Sequence, residues 1–82
     1  PVTTLEYGVA VPGRVTLCVY DLTGRVVRTL VDRDVESGKH KVVWDGTTDA
    51  GRRAASGVYF VRMEAPGRAD AFRATRKLVL LK

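Results

Sequence analysis

Apolar and polar residues alternate along most of the chain with a period of two. In the clearest run, from Arg14 to Tyr20, valine or leucine occupies every second position, a pattern typical of a half-buried β-strand. Valine is the most frequent apolar residue, and side chains branched at Cβ suit a pleated sheet better than a helix. No window repeats with the period of an amphipathic helix. The chain is therefore predicted to be all-β.

Turn residues divide this pattern into short strands. The sequence predicts six or seven antiparallel strands with starts about 8 to 12 residues apart. Six of them can be placed, at 3–9, 14–20, 25–31, 39–44, 58–64 and 71–81. Strands of this length and spacing favour a small β-sandwich of about seven strands.

The connections between the strands carry specific turn chemistry. Asp21 and Gly24 stand at the first and last positions of a four-residue sequence that suits a type I hairpin turn. Residues 32–38 are mostly polar, which predicts a connection rather than a strand. The longest irregular segment, 45–57, holds three glycines and is near the upper end of ordinary loop length. Loops of that size are often functional.

The length of 82 residues predicts a single domain over 1–82. A core of this size leaves few residues for a pocket with several converging polar groups. His40 and Cys18 are the only histidine and cysteine of the sequence, so they assemble neither a nucleophile–base pair nor a metal cluster. We therefore expect no enzyme activity and no cofactor. Cys18 alternates with core candidates, which predicts that it lies on the opposite face of its strand.

The charge of the chain is basic, with 14 Lys and Arg against 9 Asp and Glu, a formal net charge of +5 at pH 7. The cations are scattered, and neither a recognition helix nor interleaved aromatic residues accompany them, which argues against nucleic-acid binding. Arg62, Arg73 and Arg76 fall on two strands that could be neighbours. They predict either a solvated face or a basic stripe that contacts an anionic glycolipid. No apolar run reaches the length of a membrane span.

One loop holds a weak candidate for a calcium site. Asp45, Thr47 and Asp49 place oxygen atoms on one side of a glycine-rich turn, as a hard cation requires. An EF-hand loop that began at Asp45 would need a bidentate glutamate at its twelfth residue, where this chain has Ser56. The favoured interpretation is that both aspartates accept backbone N–H groups in turns.

Trp44 and Tyr59 are candidates for the centre of the sandwich, because a large ring adds more burial than an aliphatic side chain in so small a core. The alternative is stacking against a carbohydrate, which needs several exposed coplanar rings, and the chain has only six aromatic residues. Gly24 and Gly57 are interpreted as backbone requirements, one for a turn and one for a close strand entry.

Five blocks of the sequence together resemble a known family. They cover residues 3–5, 19–27, 38–46, 55–62 and 75–82. The motif residues within them are Asp21, Gly24, Trp44, Asp45, Gly46, Gly57 and Tyr59. In order and spacing the blocks are similar to the FlgD-type immunoglobulin-like domain and to its relative, the type A C-terminal sorting domain of type IX secretion.

The resemblance implies an immunoglobulin- or fibronectin-III-like sandwich at the C-terminus of a larger exported bacterial protein. It implies a non-catalytic sorting or attachment module, whose partners are the outer-membrane proteins of type IX secretion and a covalently preceding cargo domain. The chain is then expected to be secreted or held at the cell surface. The alternative is a structural scaffold, as in the flagellar hook cap or the stalk of an extracellular protein; a carbohydrate-binding accessory domain is the third hypothesis.

The C-terminal segment is the candidate recognition element. It consists of Lys77, Leu78, Val79, Leu80, Leu81 and Lys82. A terminal strand that is apolar on both faces can add to the sheet of a receptor through its main chain. The resemblance implies that the secretion machinery reads this segment.

Overall fold

The computed structural model describes residues 3–65 and 72–80, and all regular secondary structure in these ranges is β-strand. The strands are β1 (Thr3–Val9), β2 (Gly13–Tyr20), β3 (Val26–Val35), β4 (Gly38–Trp44), β5 (Gly57–Ala65) and β6 (Phe72–Leu80). The all-β prediction is confirmed, and these strands fit the predicted six or seven. Within the same ranges, no helix is long and apolar enough to cross a membrane.

The strands form two antiparallel sheets. The larger sheet has four strands in the order β3-β2-β5-β6, and the smaller sheet pairs β1 with β4. In the described structure β2 and β5 are central, whereas β3 and β6 are the edges of the larger sheet. The chain crosses between the sheets after β1, after β3 and after β4. This connectivity makes the fold a β-sandwich.

The core lies between the two sheets and follows the alternation seen in the sequence. On β2, Val15 and Val19 are fully buried and Leu17 is 3% exposed, while the residues between them are half-buried. The smaller sheet contributes Leu5 and Trp44 to the same cluster. Burial of such a side chain contributes roughly 1.5–3 kcal/mol. The inward positions of both sheets therefore hold the sandwich together.

The hairpin between β2 and β3 forms where the turn chemistry predicts it. The N–H of Gly24 donates to the carbonyl of Asp21 at 3.0 Å, and the N–H of Asp21 donates to the carbonyl of Arg25 at 3.0 Å. Gly24 has φ of 86°, a left-handed conformation that glycine adopts without steric cost. A Cβ at this position would meet nothing within 4 Å, so the requirement for glycine is conformational only.

The predicted polar connection at 32–38 is wrong for its first part, because β3 continues to Val35. Val31 and Val35 are buried, at 5% and 4% exposure, and they extend the inward face of the strand past the charged residues between them. Asp32 accepts from the Arg14 guanidinium on β2 at 2.8 Å. Cross-strand pairing thus supports a strand where the local composition resembles a loop.

Candidate functional site

The segment 45–56, which joins β4 of the smaller sheet to β5 of the larger one, holds the calcium candidate Asp45, Thr47 and Asp49. It begins with a turn built by Asp45. One carboxylate oxygen of Asp45 accepts from the N–H of Thr47 at 3.0 Å and from its hydroxyl at 2.5 Å. These two hydrogen bonds, the hydroxyl first, lower the pKa of Asp45 below its ordinary value. The carboxylate therefore acts as a turn acceptor.

Two buried aromatic side chains attach this loop to the core. Trp44 and Tyr59 are 1% and 7% exposed, and their rings pack edge to face with centroids 5.4 Å apart. The indole N–H of Trp44 donates to the carbonyl of Thr47 at 2.9 Å, and the hydroxyl of Tyr59 donates to the carbonyl of Ala55 at 2.5 Å. The rings thus lie in the core, and their polar atoms hold the beginning and the end of the loop.

Arg28 is a contact residue that the sequence analysis missed. It lies on β3 opposite Val19, and its guanidinium donates to the carbonyl of Thr48 at 2.9 Å and to the hydroxyl of Thr47 at 3.3 Å. Arg28 is half-buried opposite the core residue Val19, and only the pairing of β2 with β3 reveals that position, so the sequence alone contained no signal for it. Arg28 therefore binds the loop to the larger sheet.

Asp49 covers part of the outer edge of β3. Its N–H donates to the carbonyl of Val27 at 2.9 Å, and its carboxylate accepts from the N–H of Thr29 at 2.9 Å. These contacts replace two of the bonds that a neighbouring strand would make. Edge strands with unpaired main-chain groups invite pairing with other chains. Asp49 therefore closes this stretch of the edge.

Main-chain hydrogen bonds complete the loop. The N–H of Ala54 donates to the carbonyl of Gly46 at 2.8 Å, and the N–H of Thr48 donates to the carbonyl of Arg52 at 2.7 Å. Ala54 is 4% exposed and belongs to the core cluster. The segment is thus a compact unit with main-chain hydrogen bonds across it and a buried Ala54 side chain, rather than an open binding loop.

The oxygen atoms of the calcium candidate serve these structural contacts. Asp45 is bonded to Thr47, Asp49 reaches β3, and the hydroxyl of Thr47 accepts from the Arg28 guanidinium. The positive charge of the Arg28 guanidinium at this position opposes the binding of a calcium ion. Within 3–65 and 72–80, no group of three His, Cys, Asp or Glu side chains is placed to hold a metal ion. Asp45 caps its own turn, as the sequence favoured, whereas Asp49 accepts from the N–H of Thr29 on β3 rather than within a turn.

The structure places the remaining motif residues as backbone elements. Gly57 begins β5 with φ of 158°, a backbone conformation that residues with a side chain rarely adopt, and a Cβ there would meet nothing within 4 Å. The predicted backbone requirement at Gly57 is therefore conformational and does not come from a close approach. Cys18 is half-buried, and its Sγ lies 3.7 Å from the hydroxyl of Thr29 on the face of the larger sheet that points away from the core.

The candidate recognition segment forms the end of the edge strand β6. Leu80 is 5% exposed and Leu78 packs against the core, whereas Val79 is 58% exposed and Lys77 is exposed. The segment is thus apolar on both faces, with one face buried. Leu81 and Lys82 lie outside the described residues.

The three arginines of the predicted stripe lie on neighbouring strands, as expected. In the register of β5 and β6, Arg73 is the partner of Glu64 and Arg76 is the partner of Val61. The side chains of Arg73 and Arg76 lie outside those that the structure describes. The basic stripe that contacts an anionic glycolipid therefore stays a prediction.

Residues 4–68 match the family model for the FlgD Ig-like domain. The chain belongs to this family. The part of the predicted resemblance that concerns the FlgD Ig-like domain is thereby confirmed, and the turn, the buried aromatic pair and the paired loop described above are features of a member of that family.

Individual FlgD proteins are also similar to this chain. It is 36% identical over 66 residues, 77% of its length, to the basal-body rod modification protein FlgD of Escherichia coli strain K12, of which it covers 29%. The solved structure of FlgD from Xanthomonas campestris, described as giving insights into hook capping, matches 95% of the chain with 26% identity and a TM-score of 0.69; the chain covers 54% of it.

A second FlgD structure, from P. aeruginosa, shares the fold with 20% identity and a TM-score of 0.76 over 96% of this chain and 62% of that one. The chain thus spans less than two thirds of each of these relatives.

The predicted sorting function in type IX secretion is wrong, and so are its predicted partners in the secretion machinery. The similar proteins are FlgD proteins, which are named for the flagellar basal-body rod and for hook capping. The physical reason is that the motif residues that carry the resemblance, such as Asp21, Gly24 and Trp44, build turns and core. Such residues specify the sandwich and carry no information about what contacts its surface.

Proposed function

We propose that this chain is a non-catalytic structural domain of a FlgD-type hook-capping protein that acts outside the cytoplasm, at the bacterial cell surface. The observation that carries the proposal is its family membership together with 36% identity to a FlgD protein. This is the scaffold alternative among the hypotheses for the sequence. The hook-capping role is stated for the Xanthomonas campestris relative.

The use of the polar side chains in the loop supports a structural role. Asp45, Asp49 and Arg28 are engaged in hydrogen bonds that join strands and loop of the same domain. A catalytic group has to direct its reactive atom toward a substrate. These groups instead fix the position of the loop, which suits a rigid domain in an assembly.

The environment of the single histidine agrees with this role. His40 on β4 stacks on Tyr7 of β1 with ring centroids 5.4 Å apart, and its Nε2 lies 2.7 Å from the carbonyl of Glu36. It belongs to the smaller sheet, whereas Cys18 lies on β2 of the larger one. The two groups are therefore held in separate sheets, and each has a partner in the packing of the domain.

Domain replacement tests the proposal. In Escherichia coli lacking FlgD, we would express FlgD in which the segment similar to this chain is replaced by residues 1–82. We expect electron microscopy to show hooks and soft-agar plates to show swimming. A Trp44→Ala version, which lacks the core ring, is the matched control and should restore neither. A chimera that is folded and exported but builds no hooks would contradict the proposed function.

A further inference from the structure

The outward face of the larger sheet carries an apolar row that is not part of the core. The row consists of Tyr20, Val26, Val58, Phe60 and Val79, contributed by all four strands of the sheet. In the strand register Tyr20 is the partner of both Val26 and Phe60, and Val58 is the partner of Val79. None of the five belongs to the core cluster or to the side chains packed against it.

The apolar row is open to solvent at its two ends. Val26 on β3 is 52% exposed and Val79 on β6 is 58% exposed, while Tyr20 and Phe60 between them are half-buried. The core covers only the inward side chains of β2 and β5. The side chains on the outward face of these strands are not covered by the smaller sheet. Contiguous apolar side chains on a surface mark an interaction site more often than isolated ones do.

The charged residues next to the apolar row are basic, and the carboxylate on this face of β5, that of Glu64, lies two positions beyond Arg62. Lys77 is the cross-strand partner of Phe60, Arg62 follows Phe60 on the same face of β5, and Arg25 precedes Val26 in the chain. None of these three cations forms one of the salt bridges among the described residues, although the nearby charge of Arg25 helps to lower the pKa of Asp21. The nearest aspartate, Asp21, points its carboxylate into the turn, where it accepts from Thr23 and Arg25 main-chain groups.

The outward face of the smaller sheet provides a contrast. Lys41 there is paired with Glu6 at 3.9 Å, and the large exposed apolar residue of β4 is Val43, at 53% exposure. Among the described residues that face has no aromatic side chain, because Tyr7 packs against the core cluster instead. The combination of an apolar row that includes aromatic rings with flanking cations is therefore a property of the larger sheet.

We propose that the apolar row docks a protein segment whose own apolar side chains are flanked by carboxylates. Aromatic residues and arginine are enriched where proteins contact one another, and complementary charge around an apolar centre selects and orients a partner. The segment would bury the row against its apolar side chains and place its carboxylates near Arg25, Arg62 and Lys77. The proposal deepens the structural role proposed above by naming the contact surface and its partner chemistry.

A peptide titration tests this docking surface directly. The probe is a nine-residue peptide, Glu-Glu-Leu-Thr-Val-Thr-Leu-Glu-Glu, and the matched probe has lysine in place of every glutamate. Amide chemical shifts of the ¹⁵N-labelled 82-residue chain report where each peptide binds. We expect the acidic peptide to shift the amides of Tyr20, Val26 and Phe60 and to bind at least about tenfold more tightly than the basic one.

Two sets of variants separate the contributions of charge and apolar area. The double change Arg62→Glu with Lys77→Glu should remove the preference for the acidic peptide. The same two-charge change on the other sheet, Lys39→Glu with Lys41→Glu, should leave it. Val79→Thr keeps the side-chain shape at an exposed site and should weaken binding several-fold with an unchanged melting temperature.

The proposal is overturned by equal binding of the two peptides, by shifts confined to other surfaces, or by no shifts at millimolar peptide. It is also overturned if phosphatidylglycerol vesicles, but not the acidic peptide, bind through the apolar row, since the surface would then serve a membrane. The proposed function fails separately: a chimeric FlgD that builds no hooks leaves a positive peptide titration intact. In the same way, a negative peptide titration overturns the docking proposal even if the chimera builds hooks.

Discussion

Two turns of the chain begin with an aspartate followed two residues later by a threonine. Asp21 accepts from the N–H and the hydroxyl of Thr23 at 2.9 and 2.6 Å, and Asp45 accepts from the same groups of Thr47 at 3.0 and 2.5 Å. The local geometry is nearly identical. The first turn closes a hairpin within one sheet, whereas the second opens a loop that joins the two sheets.

The difference lies in what surrounds the threonine. Thr23 is exposed and makes its contact with Asp21 alone, beside Leu22, which is 71% exposed. Thr47 accepts from Arg28 through its hydroxyl and from Trp44 through its carbonyl. The comparison teaches that the aspartate determines the shape of each turn, and that tertiary contacts decide whether the turn also stabilises the fold.

The largest expected effect comes from removing the ring that connects the second turn to the core. Trp44→Ala should lower the free energy of unfolding by about 3–5 kcal/mol, because the side chain is 1% exposed and fills the centre of the cluster. Leu22→Ala in the first turn should change it by less than about 0.5 kcal/mol. Urea denaturation measures both. Similar losses for the two variants would refute the distinction between the turns.

A matched pair of substitutions tests the two threonines. Thr47→Val should destabilise the domain by about 1 kcal/mol, because it removes one of the two acceptors of Arg28 and the hydroxyl bonded to Asp45. Thr23→Val removes only an exposed contact and should cost a few tenths of a kcal/mol. The shift of the urea midpoint at constant slope reports each value. A larger loss for Thr23→Val would reverse the comparison.

Acid pH acts on both turns. Hydrogen bonds lower the pKa of Asp21, chiefly that from the Thr23 hydroxyl and then that from the Arg25 N–H, and the Thr47 hydroxyl and N–H lower the pKa of Asp45. The stability from each carboxylate is complete above the ordinary aspartate value of 3.8 and is lost as the pH falls through the lower folded value. Carboxyl ¹³C shifts should titrate below 3.8; midpoints at or above it would contradict this sign.

The smallest effect is local and concerns the edge of β3. Asp49→Ala removes the acceptor of the Thr29 N–H, so exchange of that amide should become about five- to tenfold faster. Asp49→Asn keeps a side-chain oxygen and should retain most of the protection. The amide of Val61 on the central strand β5 is the internal reference. If the alanine and asparagine variants exchange alike, the carboxylate does not close this edge.

The alternation of apolar residues was enough to predict β1, β2, β4 and β5. The bounds of β1 are those predicted, β2 and β4 begin one residue earlier, and β5 extends one residue further at each end. β3 was underestimated because charged residues separate Val31 from Val35, and only the pairing with β2 shows that both point into the core. Local composition fails where cross-strand neighbours stabilise a polar stretch.

The predicted site residues divide in the same way. The turn at Asp21 could be predicted because four consecutive residues contain every group that it uses. The contacts of Arg28 and Asp49 could not, because each joins residues about 20 positions apart in the chain. The resemblance predicted the fold correctly and the partner incorrectly, since the shared residues are those that build turns and core.

By itself the sequence determined the all-β class, the hairpin at Asp21 and the burial of Trp44 and Tyr59, because alternation and turn chemistry act between residues that are near one another in the chain. Only the tertiary structure decided which strands share a sheet and which edge the loop covers. It also placed Tyr20, Val26 and Phe60 in one row. These outcomes depend on the packing of distant segments, whose free energy no local pattern encodes.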